Sequence, residues 1–441
     1  MATTYLTRTP ASAGNRDKWS WSAWIKKTTT GVDQVLFSAY SDASNYTEIR
    51  FDSVNDNLQF RQQIAGAFAG RQHTNRKFRD TSAWYHIVIV YDSGNATASD
   101  RMKMYVNGVE ETSFNVYDHV SINVDSWINN NISNRIGTFN TSNYWNGSMS
   151  HINFIDGTAY DASAFGEFDA NGVWTINTAP SVTYGTNGFF ILKNGNSVTD
   201  QSGEGNNFTV GGGTLTNTED SPSNVFAVIN ALENYNSSFT LSEGNLKAVT
   251  ANYSFIRSTI GASSGKWYME IKCTAQTSNT NKWSFGISDA PASSNAQCLG
   301  DNNYEYTWRG DANIIFYNGS NTIYGSDGGM STGMIVGIAL DLDNNKIYWS
   351  RDGTWRNSAD PSAGTNGFSI VAPSSTNNGF YHFAFGECDG GNNFTFETNF
   401  GNGYFGTTAV ASAGTNASGN GIFEYDVPTG FTSLSTKGLN L

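Results

Sequence analysis

The sequence predicts an all-β protein built as two bodies in tandem, and three observations carry that prediction. Apolar and polar residues alternate in one short segment after another. Asn-Gly and other Gly-rich pairs separate those segments, and convincing helical periodicity is scarce. Charged residues are only 14% of the chain while aromatics are also 14%, and Gly outnumbers Pro by 46 to 7. With the usual charged share near ~25%, the polar surface must come from Asn, Ser, Thr and Gly, which suits strands and turns better than charged helices. The 441 residues exceed one ordinary domain, because all-β domains reach roughly 200–250 residues.

Taken in chain order, Trp19, Trp21, Ala23 and Ile25 share one parity and predict a half-buried strand, with Trp24 interrupting its polar face. Trp84 to Tyr91 is apolar on both parities, as a central strand covered on both sides requires. Met102 to Val106 runs into Asn107-Gly108 and then Val109, which predicts a hairpin because both turn residues tolerate positive φ. From Thr178 to Asp220 the chain turns rich in Gly, Asn and Thr, with weak strands at 188–192 and 207–210. The expected organisation is therefore 1–180 as a first sandwich, 181–223 as a connecting segment with edge strands, and 224–441 as a second sandwich. In the second, the inward sets are Trp267, Met269, Ile271 and Cys273; then Trp283, Phe285 and Ile287; then Val336 to Leu342; then Tyr381, Phe383 and Phe385; and last Phe394, Phe396 and Phe400. A short helical turn is expected only within 226–236. Gly-Thr-Asn-Gly-Phe occurs at 185–189 and 364–368, and is read as turn chemistry feeding a strand, not as a repeat.

These segments resemble known families. In 1–180, Trp19 to Lys26 is similar to the "WTWSAWVK" strand of the concanavalin A-like laminin G group. Trp84 to Tyr91 resembles its "WYHV" strand and Met104 to Val109 its "LYVNG" hairpin; Ile136-Gly137 and Trp145 to Asp156 resemble its closing strands. In 224–441, Gly265 to Glu270 resembles the SPRY "GKWYFEV" strand and Phe285 to Ile287 its "VGI". Val336 to Leu342 with Ile347 to Gly353 resembles its "D....I.FS.NG" hairpin. The flanks Asp220-Ser221-Pro222 and Asp426 to Phe431 resemble those of SPRY-like modules in bacteriophage, particularly marine phage, structural proteins. The resemblance implies two tandem concanavalin A-like jelly-roll β-sandwiches and a recognition role without catalysis. The expected setting is a virion surface, as a tail fibre or capsid appendage for host attachment, with other virion proteins and a host glycan or receptor as partners. A fibre would also imply a homotrimer. A decoration or cement protein is the alternative, and a polysaccharide depolymerase the third reading.

Charge agrees with this expectation. A net charge of −13 argues against nucleic acid, which demands a positive footprint, and against anionic membranes. No apolar run approaches the ~20 residues of a membrane span, and the first ten residues lack the basic and apolar regions of a secretory signal, an expectation of synthesis in a host cytoplasm. Cys273, Cys298 and Cys388 are far apart in sequence and are expected as free thiols.

The chain shows little catalytic patterning. Glu110 and Glu111 are adjacent and so face opposite ways on a strand; Asp341 and Asp343 share a face, but no Glu-x-Asp-x-x-Glu string accompanies them. Asp341-x-Asp343-x-Asn345 opens like an EF-hand loop, yet Lys346 stands where Gly is needed and Asp352 where a bidentate Glu is needed, so a plain turn is expected. The five histidines form no metal motif, and His86 reads as a hydrogen-bonded sandwich residue. The laminin G resemblance implies at most one calcium ion, with no residue assignable to it; no other cofactor is expected. What remains is a binding surface of aromatic faces beside Asn and acids, which suits sugars. The candidates are Tyr144, Trp145 and Asn146 in the first body and Tyr304, Tyr306 and Trp308 in the second, with core packing as the competing role for each.

Overall fold

The structure is a computed structural model that describes residues 3–235, 238–250, 253–277, 283–294, 297–310, 314–324, 331–388 and 394–440. The chain divides into two compact units, Met1–Asn217 and Thr218–Leu441. Each is a pair of antiparallel sheets closed over one core. No α-helix occurs among the described residues, only short 3₁₀ turns, one of them at Ala231–Glu233 within the stretch where a helical turn was expected.

In the first unit an eight-stranded sheet runs in the order Phe114–Asp118, Ala67–Lys77, Asn57–Ile64, Asn45–Phe51, Gln34–Asp42, Asn134–Ile136, Tyr5–Arg8, Thr209–Gly212. A six-stranded sheet faces it, in the order Phe189–Ile191, Gly147–Asp156, Lys18–Lys27, Trp84–Asp92, Met102–Val106, Val109–Glu110. Alternation sends Trp19 and Trp21 inward, where their rings meet Phe60 at 5.7 Å and Phe37 at 6.0 Å from the other sheet. Phe189–Ile191 and Thr209–Gly212, from the Gly-rich 181–223 stretch, are the terminal strands of the two sheets of this unit.

The strand Lys18–Lys27 was expected to be half-buried, but nearly all of it is buried. The physical reason is a second layer. Residues 158–184 fold back over the outer face of the six-stranded sheet, where Ser20 Oγ donates to the Thr158 carbonyl (2.9 Å) and accepts from the Tyr160 N–H (2.7 Å). A second apolar cluster of Val88, Val90, Ile155, Ala162, Phe165, Tyr184 and Phe190 forms there. This explains why Trp84–Asp92, central in its sheet, is apolar on both parities.

The second unit repeats the plan. One sheet runs Phe239–Ser242, Lys247–Thr250, Phe394–Asn399, Lys266–Gln276, Ile335–Asp341, Lys346–Arg351, Thr354–Trp355; Thr432–Ser433 adds in parallel beside Lys266–Gln276, and Phe368–Ser369 pairs with Lys346–Arg351. The other runs Ser254–Ala262, Tyr381–Glu387, Trp283–Ser288, Glu305–Arg309, Ile314–Tyr317, Ser320–Ile323. Phe396 of the first sheet meets Phe285 and Phe385 of the second at 5.5 and 5.8 Å. The expectation of three free thiols is corrected here. Cys298 and Cys388, 90 residues apart, are joined in a disulfide with their Cα atoms 5.2 Å apart, and only Cys273 stays free, buried in the core.

Candidate functional site

The covering layer of the first unit leaves a groove of about 370 Å³, walled by Tyr105, Gly108, Asp161, Ser163, Glu167, Phe168 and Trp174 among others. Its floor is made by a small hairpin, Gly166–Phe168 paired with Trp174–Ile176, whose turn is built by Asp169: Oδ1 accepts from the N–H groups of Asn171 (2.9 Å) and Val173 (2.8 Å). Asp161 caps the 3₁₀ turn Ala162–Ala164 by accepting from the Ser163 N–H at 2.9 Å.

Trp174 is the fixed point of this groove. Its indole N–H donates to His86 Nδ1 at 3.0 Å, the two rings lying edge to edge and near parallel with centroids 5.9 Å apart, while Trp24 stacks on His86 at 5.0 Å. Because Nδ1 accepts, the ring proton sits on Nε2 and is donated to Ser22 Oγ at 2.8 Å. Burial pulls the His86 pKa down to about 3, so the ring stays a neutral acceptor at ordinary pH. The bonded sandwich histidine expected from sequence is a post that holds an indole. Trp24, which broke the polar face of its strand, is the other half of that mount.

Two glycines make room for the indole. A Cβ on Gly108 or on Gly166 would run into the Trp174 ring. Gly108 has φ +79, beside Asn107 at φ 48, which is the turn that the Asn-Gly pair announced. Gly108→Ala is therefore expected to cost on the order of 1–3 kcal/mol through backbone strain and collision. It should also shift the Trp174 indole N–H resonance as its bond to His86 breaks. An unmoved indole signal would contradict this account of the hairpin.

Phe168 lies 4.9 Å from Trp174, edge on, and is 52% exposed, so the groove has an open aromatic rim. Burial, then the charge of Glu110, pushes the Tyr105 phenol up to about 12, so it stays protonated. Asp161 and Glu167 are exposed, and among the described residues no Lys or Arg lines the groove.

Of the six residues expected to meet a ligand, three are corrected to core residues. Trp145, Tyr306 and Trp308 are buried. Trp145 packs 6.0 Å from Phe51; Tyr306 accepts the Val371 N–H through its hydroxyl (3.1 Å); Trp308 meets Trp283 edge-on at 5.2 Å and lies under the Arg356 guanidinium. The parity they share is the inward one. Asn146 pins two strands, its amide N–H bonded to Gln34 Oε1 (3.0 Å) and its carbonyl to the Thr28 hydroxyl (2.9 Å). Tyr144 and Tyr304 are half-exposed, in different units. Trp174, Phe168 and Tyr105 escaped the sequence reading. The one signal was the Asp169 to Trp174 stretch, a turn-forming Asp and Gly just ahead of an aromatic.

Among the described residues no three His, Cys, Asp or Glu converge to hold a metal ion. Asp156, at the end of its strand, accepts from the N–H groups of Asn15 (2.8 Å) and Asn187 (3.0 Å) and from Asn129 Nδ2 (2.6 Å), so its oxygens already face donors and do not suit calcium. Asp341 is buried against Lys266 Nζ (3.0 Å) and the Asn344 amide, the turn expected in place of an EF-hand.

Two antiparallel sandwiches with aromatic cores define the class of tandem all-β sandwich proteins. Residues 2–163 match the concanavalin A-like lectin/glucanases superfamily in its laminin G form, and residues 266–369 match the SPRY domain. The chain thus carries a laminin G-like domain followed by a SPRY domain. No curated protein matches it in sequence. Solved structures with which it shares similarity include mouse laminin alpha1 chain domains LG4-5, at 9% identity over 87% of this chain and 79% of that one, with a TM-score of 0.28. The SPRY domain of human HERC1 is 10% identical over 36% of this chain and 91% of that one, TM-score 0.28. The heptameric SAP-like pentraxin from Limulus polyphemus is 17% identical over 36% and 72%, TM-score 0.27.

Proposed function

We propose that this chain is a non-catalytic recognition protein of a phage particle, which attaches the virion to a host through a surface glycan, with the Trp174 groove as the contact. The observation that carries the glycan reading is the mount itself. An indole is held by a part-buried hydrogen bond to a buried histidine while its ring lines an open groove beside Tyr105, Phe168 and two carboxylates. Rigid aromatic faces cover sugar C–H groups at little entropic cost, and acids nearby accept from hydroxyls. The phage setting rests on the sequence flanks of the second sandwich.

Glycan arrays and host-cell adsorption test this. The intact chain should bind both, and Trp174→Ala should reduce binding at least ~10-fold, as for a hot-spot aromatic, with its far-ultraviolet circular dichroism kept. Binding only to purified capsids would favour the decoration role instead. Release of reducing ends from host polysaccharide would favour a depolymerase.

A further inference from the structure

The hydrogen-bonding inventory of the groove is lopsided, and this specifies the ligand further than its shape does. Trp174 has already spent its one donor on His86. The Ser163 hydroxyl donates to Asp161 Oδ1 at 2.6 Å. The remaining polar groups facing the groove from side chains are the carboxylates of Asp161 and Glu167, which only accept, and the Tyr105 phenol. The nearest lysine along the bordering strand, Lys103, is engaged by Asp100 (3.1 Å) and Glu110 (3.5 Å). No cation lines the groove to balance its acids, and the chain as a whole carries −13. A ligand for this site must therefore bring donors and positive charge, and present an apolar face to three aromatic rings.

We propose that the groove takes an amino sugar with a free ammonium group, its ring against Trp174 and its charge toward Glu167 and Asp161. The inference rests on the reading of the groove as the glycan contact and deepens it. An ammonium supplies three donors, to the exposed Glu167 carboxylate and to Asp161 beside the two bonds Oδ1 takes from Ser163, and it is drawn to the aromatic rings that line the groove. The pyranose C–H face takes the remaining aromatic surface. A cavity of about 370 Å³ falls in the range of roughly 300–1,000 Å³ for small-ligand sites. An N-acetylated sugar would leave both acids facing an uncharged amide, and an acidic sugar would be repelled.

A matched pair of probes tests this by calorimetry on the full chain: a chitosan trimer with free amines and the fully N-acetylated trimer of the same backbone. The free-amine trimer should bind the more tightly, by roughly 10-fold, as expected of a cation among carboxylates and aromatic faces. Glu167→Gln, an exposed site that leaves packing untouched, should weaken it about five-fold and reduce its salt dependence; Trp174→Ala should abolish it. Equal or tighter binding of the acetylated trimer, lost in Trp174→Ala, would overturn the charge assignment and keep the groove as a glycan site. Free-amine binding that ignores both substitutions would show adsorption to an acidic surface and overturn the inference. So would binding of neither trimer, with host-cell adsorption of Trp174→Ala then deciding separately whether the groove makes contact. A trimethyllysine peptide that binds as tightly as the free-amine trimer would overturn the sugar assignment.

Discussion

Asp56→Ala will destabilise the first sandwich by roughly 3–5 kcal/mol, the cost of stranding one member of a buried ion pair. Lys27 Nζ lies 2.7 Å from Asp56 Oδ1, with the two side chains 1% and 7% exposed. Burial pulls the Lys27 ammonium below its ordinary pKa while Asp56 pulls it back up. The same carboxylate accepts from the Gly31 N–H at 2.8 Å and faces Arg79 at 3.5 Å, and Lys27 also sits over the Phe51 ring. Removing the acid leaves a buried ammonium beside the Phe51 ring, with the Phe78 carbonyl at 3.4 Å as a long, weak acceptor. Urea unfolding should show the drop in midpoint. Lys27→Met combined with Asp56→Asn should recover most of it, because the asparagine keeps an acceptor for Gly31 and no charge is left buried. A double variant as weak as the single one would refute the stranded-charge explanation.

The second large effect is a pH dependence. Glu270 is fully buried on the outer side of its sheet, where it accepts from the Glu424 and Tyr425 N–H groups at 2.8 Å each and from the Tyr268 hydroxyl at 3.1 Å. Burial outweighs these donors and pushes its pKa up to about 7 from an ordinary 4.5. A carboxyl whose folded pKa is raised gives its full contribution below the unfolded value, and that contribution is lost as pH rises through the folded one. Stability should thus fall between about pH 4.5 and 7, by on the order of 3 kcal/mol from this group alone. Glu270→Gln should remove that slope, read as the unfolding midpoint at pH 5, 6, 7 and 8. The same slope in the variant would assign it to other groups.

The cores were legible in the sequence because strand alternation is a local property. Trp19 and Trp21, or Phe394 and Phe396, announce their direction from neighbours two residues away. The Asn107-Gly108 turn was legible for the same reason. The groove was not, because it arises from stretches far apart in the chain: a hairpin at 166–176 lands on a sheet face where His86 read as a bonded sandwich residue and Trp24 as a break in the polar face. Tyr306 and Trp308 misled for the converse reason. An aromatic parity set reads alike whether it faces a core or a ligand, and only the opposite sheet decides between them. The Cys298–Cys388 pair likewise depends on a loop meeting a strand end, which spacing along the chain does not encode.

The second sandwich begins and finishes at one place. Phe226 bridges Ser435, the Ala227 N–H reaches the Leu434 carbonyl at 3.0 Å, and the Val225 N–H reaches the Thr436 hydroxyl at 2.9 Å. A body whose entry and exit stand side by side is a cassette: it fits into a surface loop of another protein without stretching either, and it tolerates having its ends spliced together and reopened elsewhere.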